Sequence, residues 1–336
     1  MMSTNHYRIL RAGVGLSERA RRTYIEVRGT DRANFLQGLL TNNIEMLAEG
    51  DGCYAAYLTP QGRVIADLDV FNLGDVLLLE IDVSVRKLLF DRFEALVFAE
   101  DVQVVNLSSE WTSIGLYGPE ADHLLQDASG GSYKSLMAYQ SCPAKFCDVD
   151  VQLLRTDSIG IAEFRIVGLR SAVKTIRNSL VGRGVCEVSN LSLESVRVES
   201  GRPMFGIDID ENTIPLEAGI EDRAIDFDKG CYVGQEVIIR ILHRGQGRIA
   251  RKLVGLTFAD GSEHDIPETG AKLWGDDVEV GRVTSAVYSP ALHRPIALGY
   301  VTRAYSEPGG VVKVGADASQ REAVVTKLPF VGSDSR

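Results

Sequence analysis

The stretch that does most to decide the fold runs Lys229-Gly230-Cys231-Tyr232-Val233-Gly234-Gln235-Glu236. It brings a cation, a thiol, a phenol, an amide and a carboxylate close together, with two glycines between them. Lys229 could favour the thiolate form of Cys231, and the glycines would let the backbone come close to a ligand. A plainer interpretation is also open, in which Cys231 is a small buried hydrophobe, Lys229 is solvated, and Gln235 and Glu236 cap a helix.

A basic run follows this stretch, from Arg240 to Lys252. It contains four arginines and one lysine and no acidic residue. Arginines on a glycine-rich loop suit paired hydrogen bonds to carboxylate or phosphate, which favours a local anion site. The alternative is a solvated charged face, which is what most charge runs are.

The composition limits the class of protein. The 336 residues are 45% hydrophobic and 24% charged, an ordinary balance for a globular chain of about two domains. A formal net charge of -10 disfavours direct binding to nucleic acid or to an anionic membrane. No apolar run approaches the ~18 residues of a membrane helix. The five scattered cysteines suit reduced thiols, and with no secretory signal expected at the N-terminus we predict a cytoplasmic protein.

The hydrophobic pattern predicts an α+β body over residues 1–248 and a β-barrel over 249–330. A core-facing helix is predicted to begin at Asp31 and to continue through Leu47. Helices are also expected from Ser84 to Leu96, from Pro119 onward for a short stretch, and near 169–180 and 191–199. Strands are predicted at 54–58, 63–71, 76–81, 102–107, 113–117, 151–154 and 160–166, and in the barrel at 253–258, 278–287, 296–301, 311–314 and 322–327.

In the strand predicted at 63–71, Asp67 and Asp69 share one face. Across a cavity either carboxylate could hold an amine or polarise a nucleophile. On an open sheet both would belong to the solvated side, which is the commoner case. The five histidines are isolated, so no zinc site is predicted, and no metal ligand is assigned.

Several motifs, taken in order along the chain, resemble the YgfZ family, folate-binding relatives of the glycine cleavage T-protein (aminomethyltransferase). The stretch from Lys229 to Glu236 closely resembles the signature of that family. Four further segments resemble the T-protein: residues 58–68, which end in Asp67-Leu68; Arg197-Val198-Glu199; residues 211–217; and residues 281–298, which match its C-terminal barrel.

This resemblance implies a three-lobed ring, with two interleaved α+β lobes, a C-terminal β-barrel and tetrahydrofolate or a folate derivative in the central hole. It places Asp67 at the position of the catalytic aspartate, Glu199 at that of a carboxylate that binds the pterin ring, and Tyr54 at that of an aromatic residue lining the folate site. Further candidate folate-binding residues are Tyr232, Gln235, Glu236 and Arg240, and the basic run from Arg240 could receive the glutamyl tail.

The departures from the T-protein pattern bear on function. A T-protein has Asp-Phe-Val-Gly-Lys-Glu where this chain has the cysteine signature, and its paired aspartates are reduced here to Ala66-Asp67. The leading hypothesis is a tetrahydrofolate-binding accessory protein for assembly or repair of iron-sulfur enzymes, including those that thiolate transfer RNA. In it, Cys231 is a reactive thiol supported by Lys229, and the partners are iron-sulfur client enzymes. The alternatives are an aminomethyltransferase-like enzyme acting through Asp67 and a folate-binding scaffold without chemistry.

Overall fold

The computed structural model describes residues 4–243, 248–315 and 320–332. Its α-helices are α1 (Thr4–Ala12), α2 (Arg32–Gln37), α3 (Arg86–Leu96), α4 (Ala121–Ser129), α5 (Arg170–Gly182), α6 (Asn190–Glu199), α7 (Pro215–Ala218), α8 (Glu221–Ala224) and α9 (Gln235–His243). Its strands are β1 (Gly15–Glu18), β2 (Arg22–Arg28), β3 (Gly52–Leu58), β4 (Val64–Asn72), β5 (Leu77–Asp82), β6 (Gln103–Asn106), β7 (Trp111–Tyr117), β8 (Gln140–Phe146), β9 (Val149–Thr156), β10 (Glu163–Leu169), β11 (Cys186–Glu187), β12 (Arg251–Thr257), β13 (Lys272–Gly275), β14 (Val278–Ser289), β15 (Arg294–Thr302), β16 (Val311–Val314) and β17 (Arg321–Thr326).

The first lobe is a five-stranded antiparallel sheet in the order β3-β4-β5-β2-β6. Alternate residues of β4, such as Ala66 and Leu68, join Leu36 of α2 and Phe93 of α3 in one apolar cluster. The two helices therefore cover one face of the sheet, as the apolar spacing predicts. The predicted strands at 54–58, 63–71 and 76–81 are confirmed.

The second lobe is a six-stranded sheet in the order β11-β1-β7-β10-β9-β8. Helices α4 and α5 pack against it through Leu125, Val173 and Ile176. Strand β1 belongs to this sheet, β2 to β6 form the first, and β7 to β11 return to the second. This exchange of strands confirms the two interleaved lobes.

A buried layer of charges joins the two lobes. Arg165 of β10 is fully buried, and its Nη1 lies 2.5 Å from Oδ2 of Asp69 and 3.2 Å from Oε1 of Glu80 in the first lobe. Arg19 contacts both Glu80 and Glu163. Asp69 is 5% exposed and Asp67 is 3% exposed. The solvated interpretation of their strand face is therefore wrong, because the second lobe covers that face.

The third lobe is a closed barrel in the order β12-β15-β14-β13-β16-β17, with β12 paired to β17. Five of its strands follow the prediction. The sequence pattern misses β13, which is only four residues long and ends in Gly275. A closed barrel after an α+β body confirms the predicted fold class, and a domain boundary at residue 248 stays a prediction.

One local expectation needs correction. Helix α2 ends at Gln37, well before Leu47, although Leu40 and Ile44 remain buried in the first core. The backbone carbonyls of Gln37, Leu40 and Asn42 are held instead by Lys229, which stabilises a non-helical path.

Candidate functional site

Asp67 lies on β4 and points away from the apolar core of its own sheet. Its Oδ2 accepts a hydrogen bond of 2.8 Å from the hydroxyl of Tyr54 on the neighbouring strand β3. Its Oδ1 is buried and accepts no hydrogen bond, since the nearest guanidinium, that of Arg22, lies 3.8 Å away. Burial raises the pKa of Asp67 and outweighs the opposing effects of Arg22 and of the Tyr54 hydrogen bond. One oxygen of this carboxylate is therefore left for a donor that the described part of the chain does not supply.

Tyr54 is itself held by residues that the sequence does not single out. The guanidinium of Arg223 lies over its ring, 4.8 Å from the centroid, and donates a hydrogen bond of 3.2 Å to the hydroxyl of Tyr139. Asp157, on the second lobe, lies 3.9 Å from Arg223. Tyr139 adopts a left-handed backbone with φ of 64°. These contacts join segments distant in sequence, so no spacing rule could have found them.

A cavity of about 490 Å³ has Arg22 in its lining, which includes neither Asp67 nor Tyr54. One wall is the turn between β1 and β2 together with Arg22 at the start of β2, and another is the face of α6 that carries Glu194 and Arg197. Its apolar lining comprises Ile159, Leu191, Leu193, Met204 and Ile207. Its volume lies in the range of sites for small organic ligands, and Arg22 connects it to Asp67.

Lys229 proves to be a structural residue rather than a solvated one. Its Nζ donates three hydrogen bonds, of 2.6 to 2.8 Å, to backbone carbonyls of the 37–42 turn. Burial lowers the pKa of Lys229 to about 8. All three donors of its ammonium group are used, so the predicted support of Cys231 by Lys229 would require these bonds to break.

Cys231 is exposed, which excludes the plainer interpretation of a buried hydrophobe. The residues around it are fixed by packing. Tyr232 is buried, with Lys229 Nζ 5.3 Å from its ring centroid, and Gly234 has φ of 84°. A Cβ at Gly234 would lie 2.6 Å from the carbonyl oxygen of Thr59, so only glycine fits against the turn between β3 and β4. Within this segment the exposed thiol of Cys231 is not explained by packing.

The remaining candidates near Cys231 lie on α9, which begins at Gln235. Glu236 and Arg240 pair with each other on an exposed face of this helix. In the basic run that follows, residues 244–247 lie outside the described residues. Arg251 is paired with Glu217 and covers the ring of Tyr300. A ligand-binding role for these side chains therefore stays a prediction.

Glu199, at the end of α6, is fully buried. Its Oε2 accepts hydrogen bonds from Tyr7 at 2.6 Å and from Arg11, and its Oε1 accepts one of 2.5 Å from Ser289 of the barrel. The contact predicted with a pterin ring would have to displace one of these donors. Tyr54 and Asp67 are in direct contact, whereas no contact joins Glu199 to either of them among the described residues.

The described residues contain no group of three or more His, Cys, Asp or Glu side chains arranged to hold a metal ion. None of their helices is both long and apolar enough to cross a membrane.

Comparison with known proteins agrees with this architecture along the whole chain. Residues 2–229 match the GCVT N-terminal domain, and residues 251–332 match the glycine cleavage T-protein C-terminal barrel domain. An aminomethyltransferase of Chloroherpeton thalassium is 27% identical over 97% of this chain and 89% of its own length. One of Rubrobacter xylanophilus is 28% identical over 96% of this chain and 84% of its own length.

A solved structure gives the same result in three dimensions. The glycine cleavage system aminomethyltransferase T of Bartonella henselae is 25% identical and covers 97% of this chain and 89% of its own length, with a TM-score of 0.87. The interleaved lobes, the closed barrel and both domain matches lead to one conclusion: this chain belongs to the glycine cleavage T-protein family.

Proposed function

We propose that this chain is a folate-dependent, aminomethyltransferase-like enzyme whose ligand lies in the cavity beside Arg22 and whose reacting carboxylate is Asp67. The observation that carries this proposal is the buried Oδ1 of Asp67, an acceptor without a donor. The aminomethyltransferase relatives, which align over nearly the whole chain, support the same reaction class. Retention of Asp67 beside Ala66 keeps the carboxylate that this chemistry needs.

The residues present fit a folate. A pterin ring presents N–H groups, and a carboxylate oxygen without a partner accepts such donors well. The apolar lining from α6 and from Met204 and Ile207 suits the flat aromatic parts of the molecule. Arg22 lines the cavity and its Nη1 lies 3.8 Å from Oδ1 of Asp67, so in this proposal the Arg22 side chain moves aside when a ligand reaches Oδ1.

The chain's own groups perform three tasks in this proposal. Tyr54 fixes the orientation of Asp67 through the hydrogen bond to Oδ2, and Arg223 holds the ring of Tyr54. Asp67 accepts an N–H at Oδ1 and, because burial raises its pKa, takes up a proton more readily than an exposed aspartate does. Bound tetrahydrofolate supplies the nitrogen that receives the one-carbon unit.

The test is transfer of a methylene group to tetrahydrofolate from an aminomethyl-lipoyl carrier, with release of ammonia. Asp67→Asn is expected to lower kcat by about 10²- to 10³-fold, the usual effect of removing one well-placed electrostatic group. Cys231→Ala is the matched control and should retain wild-type turnover. Absence of turnover by the wild-type protein with any lipoyl carrier would contradict the proposal.

A second candidate function rests on Cys231. Its exposed thiol lies between Lys229, Tyr232 and Gly234, which are held by packing, and the segment resembles the signature of the YgfZ family. This supports a folate-binding accessory protein for iron-sulfur enzymes, which would present Cys231 to a client protein. One cysteine cannot hold a cluster by itself, so the client or a small thiol would supply the other ligands.

The second candidate has its own experiment. In a strain that lacks this protein, Cys231→Ala should fail to restore iron-sulfur enzyme activity, while the same purified variant still binds tetrahydrofolate. Full rescue by Cys231→Ala would remove the thiol role. If the wild type showed no methylene transfer, and Cys231→Ala and Asp67→Asn both behaved as the wild type does, the chain would be a folate-binding scaffold without chemistry.

A further inference from the structure

A second cavity, of about 400 Å³, lies next to the first. The two share the turn between β1 and β2, since Glu18, Arg19 and Arg22 line both. The opposite wall of the second cavity is formed by α5 and by residues 112–114 of β7. None of the candidate residues predicted from the sequence lies in its lining.

Helix α5 presents a row of cations to this cavity. Arg170, Lys174 and Arg177 are spaced four and three residues apart, so they lie on one face of the helix. Like charges at this spacing repel one another and destabilise an isolated helix. With Arg19 and Arg22 on the opposite wall, five cations surround the cavity and Glu18 is the one carboxylate in its lining.

These cations differ in how far the protein itself neutralises them. Lys174 is exposed and makes no ion pair or hydrogen bond within the described part of the chain. Arg170 donates only to the backbone carbonyls of Ser108 and Ser109, at 2.7 and 2.9 Å. Arg177 is already paired, with Glu18 at 3.1 Å and with Glu187 at 2.5 Å. Among the described residues, Lys174 and Arg170 are therefore the cations of this wall without a carboxylate partner, in a chain whose formal net charge is -10.

The opposite wall adds a buried donor. The side chain of Arg19 is 7% exposed and pairs through its terminal nitrogens with Glu80 and Glu163. Its Nε is buried and has no hydrogen-bond partner. A buried donor of this kind is costly unless a ligand or water accepts from it. This observation is independent of the charges on α5, and Arg19 lines this cavity as well as the first.

We propose that this cavity is a second binding site, for a small molecule that carries two or more carboxylate or phosphate groups. Arginines bind both groups through paired hydrogen bonds, and the ammonium of Lys174 adds a flexible point charge. The concave shape and modest volume suit a compact anion, while Ile114 and Val173 give the cavity an apolar part. The proposal goes beyond the folate chemistry and does not depend on it.

The experiment is calorimetric titration of the full chain at low ionic strength with two probes, citrate for the carboxylate class and pyrophosphate for the phosphate class. Saturable binding of at least one probe is expected, and the preferred probe identifies the class. Lys174→Glu should weaken that binding at least about tenfold, because it reverses a charge that has no partner among the described residues.

The control is Lys313→Glu, which makes the same change of charge at an exposed position of barrel strand β16 and should bind as the wild type does. No saturable binding of either probe to the wild-type protein would overturn the proposal. Equal weakening by Lys174→Glu and Lys313→Glu would also overturn it, since the effect would then be one of net charge. Circular dichroism of both variants checks that they are folded.

Discussion

Asp67 and Glu199 are both buried carboxylates that the sequence marks as folate-site residues, and the structure uses them differently. Glu199 accepts from Tyr7, Arg11 and Ser289, and its backbone carbonyl accepts from residues 330 and 331. Asp67 accepts from Tyr54 alone and keeps an oxygen without a partner. Burial thus does not distinguish a binding carboxylate from a structural one, whereas unused hydrogen-bonding capacity does.

The largest expected effect is on stability at Glu199. Glu199→Ala leaves the hydroxyls of Tyr7 and Ser289 without their acceptor where α1, α6 and the barrel meet. We expect the free energy of unfolding to fall by about 2–4 kcal/mol, measured by urea denaturation. Glu187→Ala removes a more exposed carboxylate, paired with Arg177, and should cost under about 1 kcal/mol. Similar small losses in both variants would show that Glu199 does not hold the lobes together.

A smaller effect is expected at Tyr54. The Tyr54 hydrogen bond lowers the pKa of Asp67, so Tyr54→Phe should raise that pKa further. The acidic limb of the pH profile for methylene transfer is then expected to move to higher pH, with kcat reduced about tenfold. Tyr57→Phe is the matched control, because Tyr57 lies on the same strand but packs in the apolar core of the first lobe. An unchanged acidic limb in Tyr54→Phe would show that the Tyr54 hydrogen bond does not set the pKa of Asp67.

The smallest effect is the pH dependence of stability at Asp67. Burial raises its pKa in the folded protein above the ordinary value of 3.8, so between these two values the folded chain binds more protons than the unfolded chain. Stability from this group therefore falls as the pH rises through that interval. The stability of Asp67→Asn relative to the wild type should therefore increase as the pH rises from below 3.8 towards neutral. Denaturation at several pH values measures this difference. If Asp67→Asn instead lost stability relative to the wild type over the same interval, the charge of Arg22 rather than burial would control the pKa of Asp67.

Local pattern was enough to predict most of the fold. Alternating apolar residues predict β3, β4 and β5. After Lys252 the helical spacing of apolar residues ends and short strand patterns follow, which predicts the barrel. Two errors have a tertiary cause. Helix α2 stops early because Lys229, far along the chain, holds the carbonyls of residues 37, 40 and 42. The face of β4 that carries Asp67 is shielded from solvent because a second sheet covers it. The alternation of residues along a strand does not indicate which element lies opposite that strand.

The candidate site was only partly predictable. Asp67 and Tyr54 follow from the family resemblance, and the structure brings them into contact. Arg223 and Tyr139 have no local signal, because their role arises only where the lobes meet. In the cysteine signature, Lys229 and Gly234 are required by packing. From charge and spacing alone, residues required for packing cannot be distinguished from residues required for catalysis or binding.

The most direct test is isothermal titration with tetrahydrofolate of the wild type, Asp67→Asn and Glu199→Gln, each first shown to be folded. Because Asp67 offers the unused acceptor and Glu199 is held by the protein, Asp67→Asn should weaken binding at least about tenfold. Glu199→Gln should bind within about twofold of the wild type. Loss of binding in Glu199→Gln alone, with Asp67→Asn unchanged, would contradict this assignment of the two carboxylates.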